Sequence, residues 1–196
     1  MPSIEITRHE FSNDRHTTSY LAAGPIDGPF AICVHGWPEL SISWRNQLPF
    51  LAGLGFRVVA PDMRGYGESS VYEHHEDYQL QEAVQDMLDL LAHIGGQQAL
   101  WIGHDWGSPV VWSIASHHPE KCLGVANLCV PYATLDRGLN ATIELVDRNV
   151  YPIDEFPAGQ WDYMLHYEED FAGATKPMDA NLPESLDRYF PVNGLT

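Results

Sequence analysis

The sequence predicts an α/β fold: a mostly parallel sheet flanked by helices, followed by a smaller, purely helical segment. Three observations predict it. Runs at 30–34, 56–60 and 99–102 are apolar almost without interruption, the pattern of parallel strands buried on both faces. Helix-like stretches separate these runs, which is the grammar of βαβ units. Past Pro131 the character changes, and residues 132–196 mix aromatics, acids and prolines in short helical pieces without another continuous apolar strand.

Taken in order, two short alternating stretches at 4–7 and 16–21 flank Ser12, Asn13 and Asp14 and predict an opening hairpin. Residues 24–29 break the chain, and a strand at 30–34 follows. A helix near 44–54 leads to the strand at 56–60. Leu80, Val84, Met87, Leu88, Leu91 and Ile94 fall on one helical stripe that Gly95 and Gly96 end, and 99–102 is the next strand. A helix at 108–117 precedes a sixth strand at 123–130. The expected domains are therefore a core at 1–131 and a partial helical cap at 132–196. Neither repeats nor low-complexity tracts interrupt this order.

Composition narrows the function classes. The 196 residues are 44% hydrophobic, enough for one well-filled core. Ten Lys and Arg against 27 Asp and Glu give a formal charge of −17, a field that repels phosphate backbones and anionic lipid surfaces. No nucleic-acid or membrane partner is expected. The charged stretch at 1–11 does not resemble a signal peptide, and no run approaches the roughly 20 apolar residues of a membrane helix. A soluble, cytoplasmic protein is expected, with Cys33, Cys122 and Cys129 as buried thiols rather than disulfides or zinc ligands.

Chemistry concentrates in Gly103-His104-Asp105-Trp106-Gly107, between a predicted strand and a predicted helix. This is the pattern of a nucleophile elbow with aspartate at its apex; the plainer alternative is a Gly-Asp turn that caps a helix. At an elbow, the glycines remove side chains where strand and helix nearly touch, and the following helix aims its N-terminus at the carboxylate. His35-Gly36-Trp37-Pro38-Glu39 follows an earlier strand, where a second oxyanion donor belongs. The backbone N–H groups of Trp37 and Trp106 can converge on one oxygen. His35 is expected to bond loop carbonyls beside the pocket, with Pro38 and His104 as pocket wall or loop support. Asp62 and Arg64, in the loop at 62–70, are expected to form a loop-bracing ion pair.

With HGWPE, Trp44-Arg45-Asn46-Gln47, DMRGYGESS, GHDWG and His118-Pro119-Glu120-Lys121 in this order, the chain resembles the soluble epoxide hydrolases of the α/β-hydrolase family. The resemblance implies an α/β-hydrolase fold with a helical lid. It implies that Asp105 opens an epoxide through an alkyl-enzyme ester, while a lid tyrosine donates to the departing oxygen. Tyr163, within Trp161-Asp162-Tyr163-Met164-Leu165, is the candidate donor, and Tyr167 is the fallback. The partners implied are a small hydrophobic epoxide and water, with no cofactor and no metal.

The family also uses a histidine, oriented by an acid, to activate water. His117 and His118 lie at the far end of the elbow helix, roughly 18 Å from Asp105 at the helical rise. His74, His75 and His166 have no accompanying acid motif. The expectation is a chain that ends inside the lid, with an open sheet edge at the sixth strand through which it self-associates. Haloalkane dehalogenation is the nearest alternative activity, and a non-catalytic binding module is the alternative of another class.

Overall fold

The computed structural model describes residues 4–133 and 138–191. Ser3, at the edge of the opening segment, and Thr196, the last residue of the expected cap, lie outside them. The chain divides into two compact units, Met1–Tyr132 and Ala133–Thr196.

The first unit is a six-stranded sheet in the order β1-β2-β4-β3-β5-β6. Its strands are β1 (Thr7–Ser12), β2 (Thr17–Ala23), β3 (Phe30–Val34), β4 (Arg57–Pro61), β5 (Ala99–His104) and β6 (Cys122–Leu128). β1, β2 and β4 pair antiparallel, whereas β4, β3, β5 and β6 run parallel. The crossovers carry α1 (Gln47–Gly53), α2 (Leu80–His93) and α3 (Gly107–His117). Alternation along each strand feeds two cores. Tyr20, Ala22, Ile32, Val34, Val59 and Trp101 join the residues of α2 and α3, while Leu21, Ala23, Ala31, Cys33, Val58 and Ala60 join Leu48 and Ala52 of α1. This two-sided burial is why the central strands read as unbroken apolar runs.

Several local expectations shift. The first strand lies at Thr7–Ser12 rather than 4–7, because Asn13 makes the turn tight: its side chain accepts from the N–H groups of Arg15 and His16, both at 2.9 Å. The segment before α1 is a 3-10 turn, Ser41–Asn46. On α2 the buried stripe passes through Ala83, Val84, Met87, Leu90 and Leu91, and Leu80 is exposed at the helix start. α2 closes with Gly96 N–H donating to Leu91 O at 2.9 Å. β6 stops at Leu128 rather than continuing to 130, since Cys129 takes φ 75° and turns the chain away. β6 is also the sheet's last strand, which leaves Leu123 and Leu128 exposed and Cys129 exposed. Of the three thiols expected to be buried, only Cys33 is fully enclosed, and burial pushes its pKa up to about 12.

The described part of the second unit holds four α-helices, α4 (Gly138–Ile143), α5 (Asp162–Glu169), α6 (Phe171–Ala180) and α7 (Leu182–Tyr189), and a 3-10 turn at Gly159–Trp161. Polar side chains set their boundaries. Asp170 accepts from Gly173 N–H at 2.9 Å to start α6, and Asn181 accepts from Glu184 N–H at 3.4 Å to start α7. Arg148 gathers the connecting loop by donating to the carbonyls of Tyr151, Phe156 and Pro157. Among the described residues, no helix is long and apolar enough to cross a membrane.

Candidate active site

β5 delivers Asp105 to the carboxyl end of the sheet, and α3 begins two residues later. Asp105 has φ 49°, a left-handed backbone that an L-residue adopts only where its surroundings impose it. Those surroundings are visible. Its N–H donates to Leu128 O at 3.3 Å, and its carbonyl accepts from Ser108 N–H at 2.8 Å. Gly107 packs so tightly against the carbonyls of Val34 and His35 that a Cβ there would overlap both. The strand-to-helix turn is therefore a strained elbow with aspartate at its apex, rather than an ordinary capping turn.

The loop after β3 meets this apex. The Trp37 backbone N–H donates to Asp105 Oδ1 at 2.9 Å. Gly36 makes the approach possible, for a Cβ on it would stand 2.6 Å from Asp105 Oδ1 and 2.8 Å from His104 O. The Trp37–Pro38 peptide is cis, and Pro38 is half-buried. Trp106, 38% exposed, is the residue immediately before α3.

His35 bonds a carbonyl of its own loop. It has no exposed surface; Nδ1 donates to Gly36 O at 2.8 Å and Nε2 accepts from Met63 N–H at 2.9 Å. The ring braces the loop from within, and burial holds it below the usual imidazole pKa despite the opposing pull of Gly36 O, Asp62 and Glu39. His104 keeps its side chain half-buried, with Nδ1 2.9 Å from Glu39 Oε2. That pair ties the loop after β3 to the end of β5, next to Asp105.

Asp62 and Arg64 do brace the loop, but not with each other. Asp62 accepts from Ser41 N–H at 2.8 Å and pairs with Arg8 at 3.3 Å. Arg64 forms a buried two-pronged contact with Asp86 of α2, at 2.7 and 2.8 Å. Asp86 went unsuspected because it sits on an otherwise apolar helix face. Tyr66 was also missed: its ring packs edge-on to His35 at 5.0 Å, and burial together with the Asp105 charge pushes its hydroxyl up to about 12.

In the second unit, Tyr163 lies in the first turn of α5 and is 37% exposed. Tyr167, one turn on, has its hydroxyl 3.4 Å from that of Tyr189, and burial and this neighbour push it up to about 12.

A family model described as alpha/beta hydrolase fold matches residues 32–192. The chain belongs to this family. Its curated relatives include epoxide hydrolase B of Mycobacterium tuberculosis, 46% identical over 128 residues, covering 64% of this chain and 36% of the relative. Bifunctional epoxide hydrolase 2 of Sus scrofa is 39% identical over 163 residues, covering 83% of this chain and 27% of the relative. Among solved structures, epoxide hydrolase A of Mycobacterium thermoresistibile superposes with a TM-score of 0.63 at 39% identity, over 65% of this chain and 40% of that one. An epoxide hydrolase of Vigna radiata gives a TM-score of 0.65 at 31% identity, over 76% of this chain and 48% of that one. The chain thus spans about a third of the length of the curated relatives it matches and under half of these solved structures. Asp105 stands at the apex of the strand-to-helix turn in this fold.

Proposed function

We propose that this chain carries the nucleophilic half of an epoxide hydrolase, with Asp105 as the nucleophile. The observation that carries the reading is a carboxylate at the apex of a strained elbow, met by a backbone N–H from Trp37 at 2.9 Å. The named relatives support epoxide as the substrate class.

In the first step one carboxylate oxygen attacks an epoxide carbon. The ring C–O bond breaks, and the departing oxygen takes a proton from Tyr163, leaving a hydroxyalkyl ester on Asp105. A carboxylate suits this work because the ester it leaves is open to water at its own carbonyl carbon. In the second step water adds at that carbon. The N–H groups of Trp37 and Trp106 stabilise the oxyanion; its collapse expels the alkoxide, which takes back the proton removed from water and leaves as a vicinal diol, and the carboxylic acid left on Asp105 returns its proton to the Tyr163 phenolate. That step needs a base to take the proton of water, and none of the site residues assigned above fills the role. Neither step calls for a metal or a redox cofactor. The lid role of the second unit, a cytoplasmic setting and self-association at the β6 edge belong to the same proposal.

The test is product analysis with an aryl epoxide and a chloroalkane supplied separately. Esterification of Asp105 or diol formation from the epoxide supports the reading, whereas halide release from the chloroalkane without reaction of the epoxide replaces it with dehalogenation.

A further inference from the structure

Both ends of the Gly36–Trp37 peptide are occupied. Its carbonyl accepts from His35 Nδ1 at 2.8 Å, and its N–H donates to Asp105 Oδ1 at 2.9 Å. A trans peptide is planar with its C=O and N–H on opposite sides, so fixing the oxygen fixes the direction of the hydrogen. The imidazole that does the fixing cannot turn. It is wholly buried, Tyr66 lies edge-on at 5.0 Å, and Nε2 accepts from Met63 N–H at 2.9 Å. These two bonds also settle the tautomer, since a carbonyl can only accept and an amide N–H can only donate: the proton is on Nδ1 and Nε2 is bare.

We infer that His35 is the positioning residue of the oxyanion donor: by holding Gly36 O it locks the 36–37 peptide so that the Trp37 N–H is aimed at the Asp105 carboxylate. The inference rests on the reading of Asp105 as nucleophile for its catalytic meaning, though not for its geometry. The lock matters because a donor held in place before charge develops costs no reorganisation when it does. A side chain on Gly36 would collide with Asp105, so the peptide lies directly against the carboxylate and a small rotation of its plane breaks the contact. Met63 anchors the ring from the loop after β4, which ties the oxyanion loop to a second loop at the same end of the sheet.

Two substitutions separate the ring's two bonds. His35→Asn keeps a donor near the Nδ1 position and loses the acceptor for Met63. His35→Gln reaches toward Met63 with an amide oxygen and loses the donor to Gly36. Each is made with Asp105 and with Asp105→Asn, and the Trp37 amide is followed by nitrogen–proton NMR; in the Asp105 background the cleavage by hydroxylamine of the ester formed with an aryl epoxide is timed as well, because attack on that ester's carbonyl is the step that places charge on the oxygen facing the Trp37 N–H. Expected for His35→Asn is a Trp37 amide that still senses the Asp105 charge, with ester cleavage within a few-fold of the parent. Expected for His35→Gln is loss of that sensitivity and an ester cleavage slower by about 10²-fold, the usual effect of removing one oxyanion donor. Equal behaviour of the two variants would make His35 a brace only and overturn the inference. The parent chain supplies a test that no misfolded variant can spoil: long-range nitrogen–proton correlation must find His35 protonated on Nδ1, and a proton on Nε2 overturns the lock. If the amide follows this pattern while the parent is never esterified, the lock stands and the nucleophile reading falls.

Discussion

The Trp37 backbone N–H donates to Asp105 Oδ1 at 2.9 Å, across a sequence separation of 68 residues. Two loops after different strands, β3 and β5, meet in that one bond, because parallel strands deliver their following loops to the same end of a sheet. Its strength depends on how closely the loops approach, and Gly36 sets that distance.

Gly36→Ala should therefore damage the site more than the fold. Its Cβ would meet Asp105 and the His104 carbonyl, and overpacking of this kind costs roughly 1–3 kcal/mol. Gly53→Ala at the end of α1 is the control, since its Cβ would meet only Ile4 Cδ1 at 3.8 Å. Urea unfolding should show a clear loss for the first and none for the second, and Asp105 esterification should be lost in the first alone.

The buried contact between Arg64 and Asp86 gives a stability prediction. Removing Asp86 leaves the buried Arg64 with only a longer ion pair to the partly exposed Glu82, at 3.6 Å, so Asp86→Ala should cost about 3–5 kcal/mol. The double replacement Arg64→Met with Asp86→Leu should cost less than that single change, because no buried charge remains unpaired; Arg15, whose side chain is partly exposed, can turn to water. Denaturant midpoints of the two proteins decide it, and a double variant weaker than Asp86→Ala would refute the account of this network.

Mild acid should weaken the first unit. Burial holds both His16 and His35 below the ordinary imidazole value; around His16, Asp86 and Asp89 pull upward while Arg64 and Arg15 push down. The unfolded chain takes up these protons near pH 6.5 and the folded chain resists, so stability falls as pH drops through about 6.5. The slope is at most about 1.4 kcal/mol per pH unit for each histidine. Unfolding at pH 7.5, 6.5 and 5.5 should show the loss, with a shallower slope for His35→Asn. A stability flat across that range would contradict it.

Under the proposed function, Tyr163 is the proton donor and Tyr167 the fallback. Tyr167 is engaged with Tyr189 and its hydroxyl is pushed up to about 12, so it gives up its proton less readily than an ordinary tyrosine. Tyr163→Phe should slow Asp105 esterification by ~10²–10⁴-fold, the range for losing a general acid, and Tyr167→Phe by much less. Rapid-quench mass measurement of the two variants distinguishes them, and the opposite ranking assigns the role to Tyr167.

The elbow and the loop at 35–39 could be read from sequence because their requirements are local: spaced glycines, an apex residue, a strand before and a helix after. The sheet was legible for the same reason, in unbroken apolar runs. Pairings across the chain were not. Asp86 lies 22 residues from Arg64 and Glu39 lies 65 from His104, and charge alone does not name a partner at such distances. His35 was expected to bond loop carbonyls, and nothing local says that Met63 would take its second nitrogen. Cys129 was read as buried because an edge strand and a central strand can have the same composition.

The central claim, that Asp105 is a working nucleophile, is tested most directly by intact-mass analysis after rapid acid quench of the chain mixed with an aryl epoxide, with Asp105→Asn in parallel. The account predicts a mass increase of one epoxide on the parent, mapped by peptide fragmentation to Asp105 and missing from the variant. An unlabelled Asp105 in a folded chain that forms no diol, or equal labelling of both proteins, would contradict it.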